Sequence, residues 1–196
     1  MSKILVMGVG PISTCRIAIV GEAPGAQEVT EQKPFVGRSG QLLNEVLASI
    51  GLVRSELYLT NVIKERPIGN DVKSFFDVRT GGRIVKTAEF DHYVEELQEE
   101  LRYCSANIIV AAGNTALWAL TGMTGITKRR GSLYKSTLLP GRKVIGIIHP
   151  RAALDMYIYR RYMAFDLKRA IEESTSRELK LPERKFLIGC EYEETL

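Results

Sequence analysis

Short aliphatic runs alternate with segments of helical periodicity along this chain, and this alternation constrains its fold more than any other feature. Four runs have the length and β-branched character of buried strands, and they occupy residues 16–21, 56–63, 107–113 and 143–150. Helical patterns separate most of them. Because parallel strands need a crossover between them, which is usually a helix, this order predicts an α/β fold around a mainly parallel four-stranded sheet.

The helical segments place apolar residues three and four apart, so that one face of each can pack on the sheet. The first helix is expected to be capped by Ser39 and to end at Gly51. Three more helices are expected over residues 88–104, 114–122 and 152–173. Residues 67–87 show no clear period and are interpreted as a long loop, with a hairpin through Gly81 and Gly82 as one option.

Length and composition favour a single domain inside the cell. A chain of 196 residues, 45% hydrophobic and 26% charged, can bury one substantial core. We expect one domain over residues 1–175 and an extension over 176–196 to which the sequence assigns no role. The apolar runs are only strand-sized, and the N-terminal segment matches a signal peptide poorly, so we expect no membrane association and a cytoplasmic location.

Charge is distributed unevenly along the chain. Residues 128–169 contain eleven Lys and Arg against two acids, whereas residues 89–100 contain six acids and no Lys or Arg. This asymmetry fits a polyanionic partner such as nucleic acid, although a charge run is more often an ordinary solvated surface.

Three segments carry the most specific patterns, and each begins at the end of a predicted strand. They are GEAPGAQEVTEQKPFVGRSGQLL (21–43), YLTNVIKERP (58–67) and IIHPRAAL (147–154). The first matches neither the phosphate-binding pattern G-x-x-x-x-G-K-[ST] nor the dinucleotide pattern G-x-G-x-x-G. Ligands of open α/β sheets bind where strands end at their carboxyl edge, so the three segments are expected to meet there.

Together these segments resemble the motifs of the uracil-DNA glycosylase superfamily, in particular its thermostable iron–sulfur branch, family 4. GEAPG followed by PFVGxxGxLL is similar to the first motif, TNVIKERP to T-N-x-x-K-C-R-P, and HPRAAL to H-P-x-x-x-L. The resemblance extends over residues 16–170. It implies a three-layer α/β/α sandwich and an enzyme that flips uracil out of DNA and hydrolyses its N-glycosidic bond, leaving an abasic site.

Three residues have a chemical reason to contact an extruded uracil. Phe35 offers a flat apolar face in place of the lost stacking, and Asn61 offers a carboxamide that complements the N3–H and O4 of uracil. His149 can donate a hydrogen bond to O2, where negative charge develops as the base departs. Outside these motifs, a core Phe, a turn-closing Asn and a hydrogen-bonded His would be the ordinary interpretations. The glycosylase hypothesis requires the three side chains to share one cavity.

The glycine-rich loop contributes the remaining expected substrate contacts. Its backbone at Gly21 and Ala23 can approach the base, and Ala23 stands where the best-known branch of the superfamily has a water-orienting Asp. Glu22 and Glu28 are therefore the candidates for positioning water or supporting the loop, and we favour Glu22 as catalytic. Gly25 replaces a bulky Tyr that excludes thymine in that branch, so Glu22 is also a candidate for this exclusion.

DNA contacts are expected within these motifs and in the basic segment before the last of them. Those that the resemblance places at phosphates or at the duplex are Ser39, Lys128, Arg129, Arg130, Arg151, Ala153 and Leu154. The loop containing the last three pushes into the duplex as a base leaves, and an apolar wedge offsets part of the unstacking cost. Since Ala153 is small, either Leu154 acts as the wedge or the enzyme prefers single-stranded DNA.

The cysteines depart from the family 4 pattern. That family holds an iron–sulfur cluster on four cysteines, but here Glu65 stands in the K-C-R-P position, and the three cysteines, Cys15, Cys104 and Cys190, are scattered. We therefore predict no cluster, no metal and no organic cofactor. An interaction of Glu65 with Arg66 or Lys64, or packing of Phe75 and Phe76, is expected to hold the loop instead.

Three interpretations stay open at the level of sequence. The chain is either a monofunctional uracil-DNA glycosylase or a glycosylase for another deaminated or modified base, which the openness at Gly25 favours. A non-catalytic DNA-binding protein of the same fold is the third possibility. The expected partner is single- or double-stranded DNA, and the expected state is a monomer.

Overall fold

The structure is a computed structural model that describes residues 4–79 and 83–179 of the 196-residue chain. The strands are β1 (Ile17–Gly21), β2 (Tyr58–Asn61), β3 (Phe76–Arg79), β4 (Arg83–Lys86), β5 (Ile108–Ala112), β6 (Leu133–Lys135) and β7 (Lys143–Ile147). The α-helices are α1 (Ala26–Glu31), α2 (Arg38–Ser49), α3 (Ala88–Arg102), α4 (Asn114–Thr121), α5 (Ile126–Arg129), α6 (Ala152–Asp155) and α7 (Ile158–Glu173). Within these ranges no helix is both long and apolar enough to cross a membrane.

A five-stranded sheet in the order β2-β1-β5-β7-β6 forms the centre of the fold. The first four strands are parallel and coincide with the four predicted runs, and every residue in them is buried. The α/β prediction is confirmed, but the strand count was one too low. The additional strand, β6, is only three residues long and pairs antiparallel with β7, so it shows no period in the sequence.

Helices cover both faces of this sheet. Helices α2 and α7 pack against each other and α7 lies on β5 and β7, while α4 packs on β1, β5 and β7. Trp118 of α4 stacks with Phe90 of α3 at 6.0 Å between ring centroids, which joins these two helices in the other layer. The two layers and the sheet give the expected α/β/α sandwich.

The hairpin suggested for the long loop is present as β3 and β4, paired antiparallel with Phe76 opposite Lys86. Gly81 and Gly82 themselves lie outside the described residues. The Phe75 ring meets Tyr93 edge-on at 5.7 Å, and the Phe76 ring stacks on Trp118 at 5.3 Å. The expected packing of Phe75 and Phe76 is therefore confirmed, and it fixes the hairpin to the layer of α3 and α4.

Two helix boundaries differ from the prediction. Helix α2 begins at Arg38 with Gly37 as its N-cap, so Ser39 lies inside the first turn and does not cap the helix. The single helix predicted over 152–173 is divided into α6 and α7, because Met156 adopts an extended conformation with φ −129° and ψ 104°. This corner turns the chain immediately after the third motif.

The end of the described chain lies against the sheet's amino edge. Arg177 donates hydrogen bonds to Asn107 Oδ1 at 3.3 Å and to the Ser105 carbonyl at 3.1 Å. Most of the predicted 176–196 extension falls outside the described residues.

Candidate active site

The three motifs meet at the carboxyl edge of the parallel strands. Gly21 and Asn61 are the last residues of β1 and β2 and stand opposite each other in the sheet register, and His149 follows β7 by two residues. A cavity of about 150 Å³ opens at this edge. Its lining residues are Glu22, Ala23, Gly25, Glu28, Phe35, Ser39, Asn61, Asn70, His149 and Arg151. Phe35, Asn61 and His149 therefore share one cavity, as the glycosylase hypothesis requires.

Phe35 is buried and held in an unusual backbone conformation. Its φ of +54° lies in the left-handed region, which costs a non-glycine residue about 1–3 kcal/mol and persists only when the surroundings enforce it. A Cβ on Gly40 would lie 2.0 Å from the Phe35 carbonyl, and a Cβ on Gly21 would lie 2.5 Å from the tip of its ring. Because these two positions are glycines, helix α2 can approach the Phe35 backbone closely and strand β1 can approach the tip of its ring.

Asn61 is buried at the end of β2 beside the same glycine. A Cβ on Gly21 would lie 2.3 Å from Asn61 Oδ1, so the carboxamide and the Phe35 ring occupy the space that a side chain at Gly21 would fill. The Asn61 carbonyl accepts a hydrogen bond from Lys64 Nζ at 2.8 Å, which ties its backbone to the following loop.

Lys64 belongs to a buried polar network behind Asn61. Its Nζ also donates to Thr60 Oγ1 at 2.7 Å and forms an ion pair with Glu100 of α3, and Glu100 accepts a hydrogen bond from the Tyr58 hydroxyl at 2.7 Å. Burial lowers the pKa of Lys64, and the Glu100 charge opposes that shift. The partner of Lys64 thus comes from α3, 36 residues away in the chain, and an interaction of Glu65 with Arg66 or Lys64 stays a prediction.

His149 is a neutral imidazole with a defined tautomer. Its Nδ1 accepts a hydrogen bond from the Arg151 backbone N–H at 3.1 Å, so the ring proton is on Nε2. Burial, with a smaller contribution from the Arg151 charge, lowers the pKa of His149 to about 4. Gly113, at φ +93°, makes room for the ring, since a Cβ there would lie 3.0 Å from His149 Cβ.

The two glutamates of the first motif have different surroundings. Glu28 accepts hydrogen bonds from the backbone N–H groups of Gly25 at 3.1 Å, Val36 at 3.1 Å and Gly37 at 2.7 Å. It therefore ties the loop together and satisfies donors at the start of α2. A Cβ on Gly25 would lie 2.7 Å from Glu28 Oε2. The close approach of Glu28 therefore explains a glycine at this position without reference to a substrate.

Glu22 faces the other side of the cavity and accepts a hydrogen bond from the Thr115 hydroxyl at the start of α4. Burial raises the pKa of the Glu22 carboxyl, the Thr115 hydrogen bond opposes the shift, and the Asp71 charge adds to it. Of the two roles that the sequence left open for these acids, loop support belongs to Glu28.

Sequence reasoning missed two residues of this region. Thr115 follows the carboxyl end of β5, and its position just after a predicted strand could have identified it as a site residue. Asn70 lines the cavity with a left-handed φ of +58°, but it lies in the long loop without periodicity and had no comparable signal.

The expected DNA contacts differ in how available they are. Arg151 lines the cavity and is largely exposed, and Lys128 is exposed on α5. Ala153 is buried, so its methyl group is not available to DNA in this conformation, whereas Leu154 is half-buried. The contact predicted for Ala153 would therefore need a movement of α6.

Two of the predicted basic contacts are engaged within the protein. Arg130 pairs with the buried Asp166 at 3.0 Å and lies over the Tyr162 ring at 4.1 Å. Arg129 donates to the Thr124 carbonyl at 2.8 Å. Contacts of Ser39, Lys128, Arg129, Arg130, Arg151 and Leu154 with DNA stay predictions.

The described residues do not fit the four-thiolate cluster of family 4. The Sγ atoms of Cys15 and Cys104 lie 3.5 Å apart in a buried pair at the amino ends of β1 and β5, whereas Glu65 follows the carboxyl end of β2. Glu65 forms an isolated bridge with Leu5 of the N-terminal segment. Across the described ranges, no group of three or more His, Cys, Asp or Glu could hold a metal ion.

Comparison with known proteins agrees with this arrangement. The family model described as "Uracil DNA glycosylase superfamily" matches residues 7–169. The type-4 uracil-DNA glycosylase of Archaeoglobus fulgidus is 38% identical over 155 residues, covering 76% of this chain and 71% of the relative. That of Thermotoga maritima is 36% identical over 148 residues, covering 74% and 69%. That of Saccharolobus solfataricus is 30% identical over 185 residues, covering 90% and 79%. This chain belongs to the uracil DNA glycosylase superfamily.

Proposed function

We propose that this chain is a monofunctional uracil-DNA glycosylase, which flips deoxyuridine out of DNA, hydrolyses the N-glycosidic bond and leaves an abasic site. The observation that carries the proposal is the shared cavity of Phe35, Asn61 and His149 at the carboxyl edge of the sheet. Type-4 uracil-DNA glycosylases at 30–38% identity over most of the chain support it.

Phe35 and Asn61 bind the extruded base in this proposal. The Phe35 ring replaces the stacking lost on extrusion, which contributes about 1–3 kcal/mol per base. The Asn61 amide oxygen accepts from uracil N3–H, and its amide nitrogen donates to O4. Cytosine presents the reverse pattern of donor and acceptor at these positions, so the same carboxamide discriminates against it.

His149 acts on the transition state. As the bond to the sugar breaks, negative charge develops on uracil O2, and the Nε2–H of the neutral ring donates a hydrogen bond to it. The Arg151 backbone N–H holds the tautomer in which Nε2 carries the proton. Because the donor is oriented before the reaction, little reorganisation is needed when the charge appears.

Glu22 holds the water that attacks the anomeric carbon. Its carboxyl group lines the cavity and is oriented by the Thr115 hydroxyl, and the half-buried surroundings keep the carboxylate poorly solvated. A carboxylate with a raised pKa is a better acceptor for the proton that the attacking water releases. Gly21 and Ala23 line the base with backbone rather than side chains.

A uracil-release assay tests this function. The protein is incubated with single- and double-stranded oligonucleotides that contain one uracil, and alkali-labile sites are counted over time. Wild type is expected to release uracil from both substrates, and Asn61→Ala is expected to be nearly inactive. Gln41→Ala, which removes an exposed carboxamide from α2, is the matched control and should retain full activity. Absence of release by wild type, or an unchanged rate in Asn61→Ala, would refute the assignment.

A panel of modified bases separates this function from the alternatives. Oligonucleotides containing hypoxanthine, xanthine or a 5-substituted uracil report a different base specificity if one of them is released faster than uracil. Salt-sensitive DNA binding without release of any base would indicate a non-catalytic protein.

We further propose that the protein works without an iron–sulfur cluster. The distance between the Cys15–Cys104 pair and Glu65, at opposite ends of parallel strands, supports this, because one cluster cannot bridge the two positions. Anaerobically purified protein is expected to contain no stoichiometric iron and to lack visible absorbance. Stoichiometric iron with uracil release that depends on it would contradict the proposal.

The cellular setting is also part of the proposal. We propose that the protein acts as a monomer. DNA is the substrate of the family, and we propose single- or double-stranded uracil-containing DNA as the partner of this protein. We also propose that the protein acts in the cytoplasm.

A further inference from the structure

Exposed aromatic and aliphatic side chains are concentrated where the third motif ends. Of the eleven large hydrophobic residues that are exposed in the described part of the chain, five lie within residues 156–165. They are Met156, Tyr157, Ile158, Tyr162 and Phe165, with Tyr157 71% and Phe165 70% exposed. Large apolar side chains that are exposed close together on a protein surface often mark an interaction site.

The patch occupies the outer face of α7 and the corner that precedes it. The inner face of this helix is buried through Met163, Leu167 and Ala170, so Ile158 and Phe165, seven residues apart, lie on the opposite stripe. Tyr157 and Phe165 are separated by eight residues, or about 12 Å of helix rise. That length corresponds to about three to four nucleotides stacked 3.4 Å apart.

The charge around this patch is positive. Arg161 and Lys168 are exposed on the same face, and Arg160 lies over the Tyr157 ring at 5.5 Å. Of the nearby acids, Asp166 is buried against Arg130, Asp155 lies 4.0 Å from Arg151 and Glu45 pairs with Arg160 at 2.9 Å, whereas Glu172 near the end of α7 is exposed. Arg161 and Lys168 therefore supply the positive charge of this face.

A second cluster of exposed apolar residues lies in negatively charged surroundings. Leu5, Met7 and Tyr103 line a groove whose other walls include Glu95, Glu96 and Glu99 of α3. A polyanion would be repelled there. Charge therefore distinguishes the two apolar surfaces, and only the one on α7 is complementary to nucleic acid.

We propose that Tyr157, Ile158, Arg161, Phe165 and Lys168, called here the α7 platform, bind the single DNA strand that flanks the flipped nucleotide. Bases that are no longer paired stack on Tyr157 and Phe165, and Arg161 and Lys168 contact the phosphates between them. Arg151 lines the cavity, and the platform begins six residues after it in the chain, beyond α6, which packs against α7. The inference rests on the proposed function and extends it to the DNA beyond the excised base.

Binding to uracil-free DNA tests the platform independently of catalysis. Fluorescence anisotropy with a labelled single strand and with the corresponding duplex gives the dissociation constants of wild type, Tyr157→Ala and Phe165→Ala. Each aromatic variant is expected to weaken single-strand binding at least about 5-fold while affecting the duplex less. Tyr103→Ala is the matched control, since it removes a 75% exposed ring from the acidic face, and it should bind like wild type.

The salt dependence tests the phosphate contacts. For Arg161→Ala/Lys168→Ala, the slope of log K against log salt on single strands is expected to fall by about 1.4, which is about 0.7 per lost contact. Circular dichroism verifies that each variant is folded, as substitutions on an exposed face should allow.

Three outcomes would overturn the proposal. Phe165→Ala and Tyr103→Ala binding equally well would show that the ring contacts no DNA. Equal losses on single strands and duplex would exclude stacking on unpaired bases. A concentration-dependent dimer that Phe165→Ala abolishes, with DNA affinity unchanged, would show that a second copy covers the patch. Because the probe contains no uracil, none of these results depends on whether wild type releases the base.

Discussion

The backbone N–H of Arg151 donates a hydrogen bond to Nδ1 of His149 at 3.1 Å. Two neighbouring residues of one motif thus determine where the imidazole proton is, and the buried surroundings keep the ring neutral by lowering the pKa of His149 to about 4. Protonation would place a hydrogen on Nδ1, facing the Arg151 N–H, and would break this bond. The arrangement therefore provides a Nε2–H donor at all pH values well above 4.

The first prediction concerns the acid limb of the pH profile. Since the pKa of His149 is lowered from its ordinary value of 6.5, the functional neutral form is expected to persist at pH 5 and to be lost as the pH falls toward about 4. Glu22→Gln has no titrating carboxylate at this position, so the pH dependence of its remaining activity should report the titration of His149 alone. The measurement is single-turnover uracil release between about pH 3.5 and 8. A midpoint near 6.5 in that variant would contradict the tautomer argument.

The second prediction separates binding from hydrolysis at Glu22. Glu22→Gln keeps the shape of the side chain and an oxygen for the Thr115 hydroxyl, but it removes the charge that we propose holds the attacking water. We expect kcat to fall by about 10²–10⁴-fold, with little change in the affinity for uracil-containing DNA. Glu31→Gln, on the exposed side of α1, is the matched control and should be fully active. A variant at Glu22 that loses DNA affinity and retains kcat would assign the residue to binding instead.

The third prediction concerns Gly21, whose missing side chain leaves room for Phe35 and Asn61. Gly21→Ala would place a Cβ 2.5 Å from the Phe35 ring and 2.3 Å from Asn61 Oδ1. Overpacking of this kind costs about 1–3 kcal/mol, and both base-binding groups must shift. We expect a lower Tm together with a large loss of kcat/KM for uracil release.

Gly51→Ala provides the comparison for that experiment. Gly51 follows α2 at φ +74°, and no atom lies within 4 Å of the position that an alanine Cβ would take, so the substitution strains only the backbone. Its Tm should fall while kcat/KM is preserved. Full activity in Gly21→Ala would show that the cavity tolerates a displaced Phe35 and Asn61.

The fourth prediction addresses the buried ion pair behind Asn61. Lys64→Met leaves the Glu100 carboxylate without its cation in a largely buried position, which typically costs about 3–5 kcal/mol. The free energy of unfolding, measured by urea denaturation, should fall accordingly. Adding Glu100→Gln should recover part of the loss, because the second variant carries no unpaired charge. Additive losses in the double variant would show that the two residues do not act as a pair.

Much of the site could be predicted because Asn61 and His149 lie at or just after the ends of strands, and Phe35 lies in the motif that begins at the end of β1. Phe35, Asn61 and His149 each lie within a short motif whose pattern is local, and parallel strands bring their carboxyl ends to one edge whatever the details of packing. The alternation of strands and helices likewise determines the fold class, since each element needs a covered apolar face. These conclusions depend on periodicity and on nearest neighbours along the chain.

Tertiary structure alone decided which distant residues meet. The hydroxyl of Thr115 reaches Glu22 across 93 positions, and Lys64 pairs with Glu100 across 36. Such pairs depend on the order of strands in the sheet and on the rotation of α3 and α4 about their axes, neither of which any local pattern contains. The edge strand β6 was missed because three residues are too few to show a period, and the corner at Met156 because no Gly or Pro marks it in the sequence.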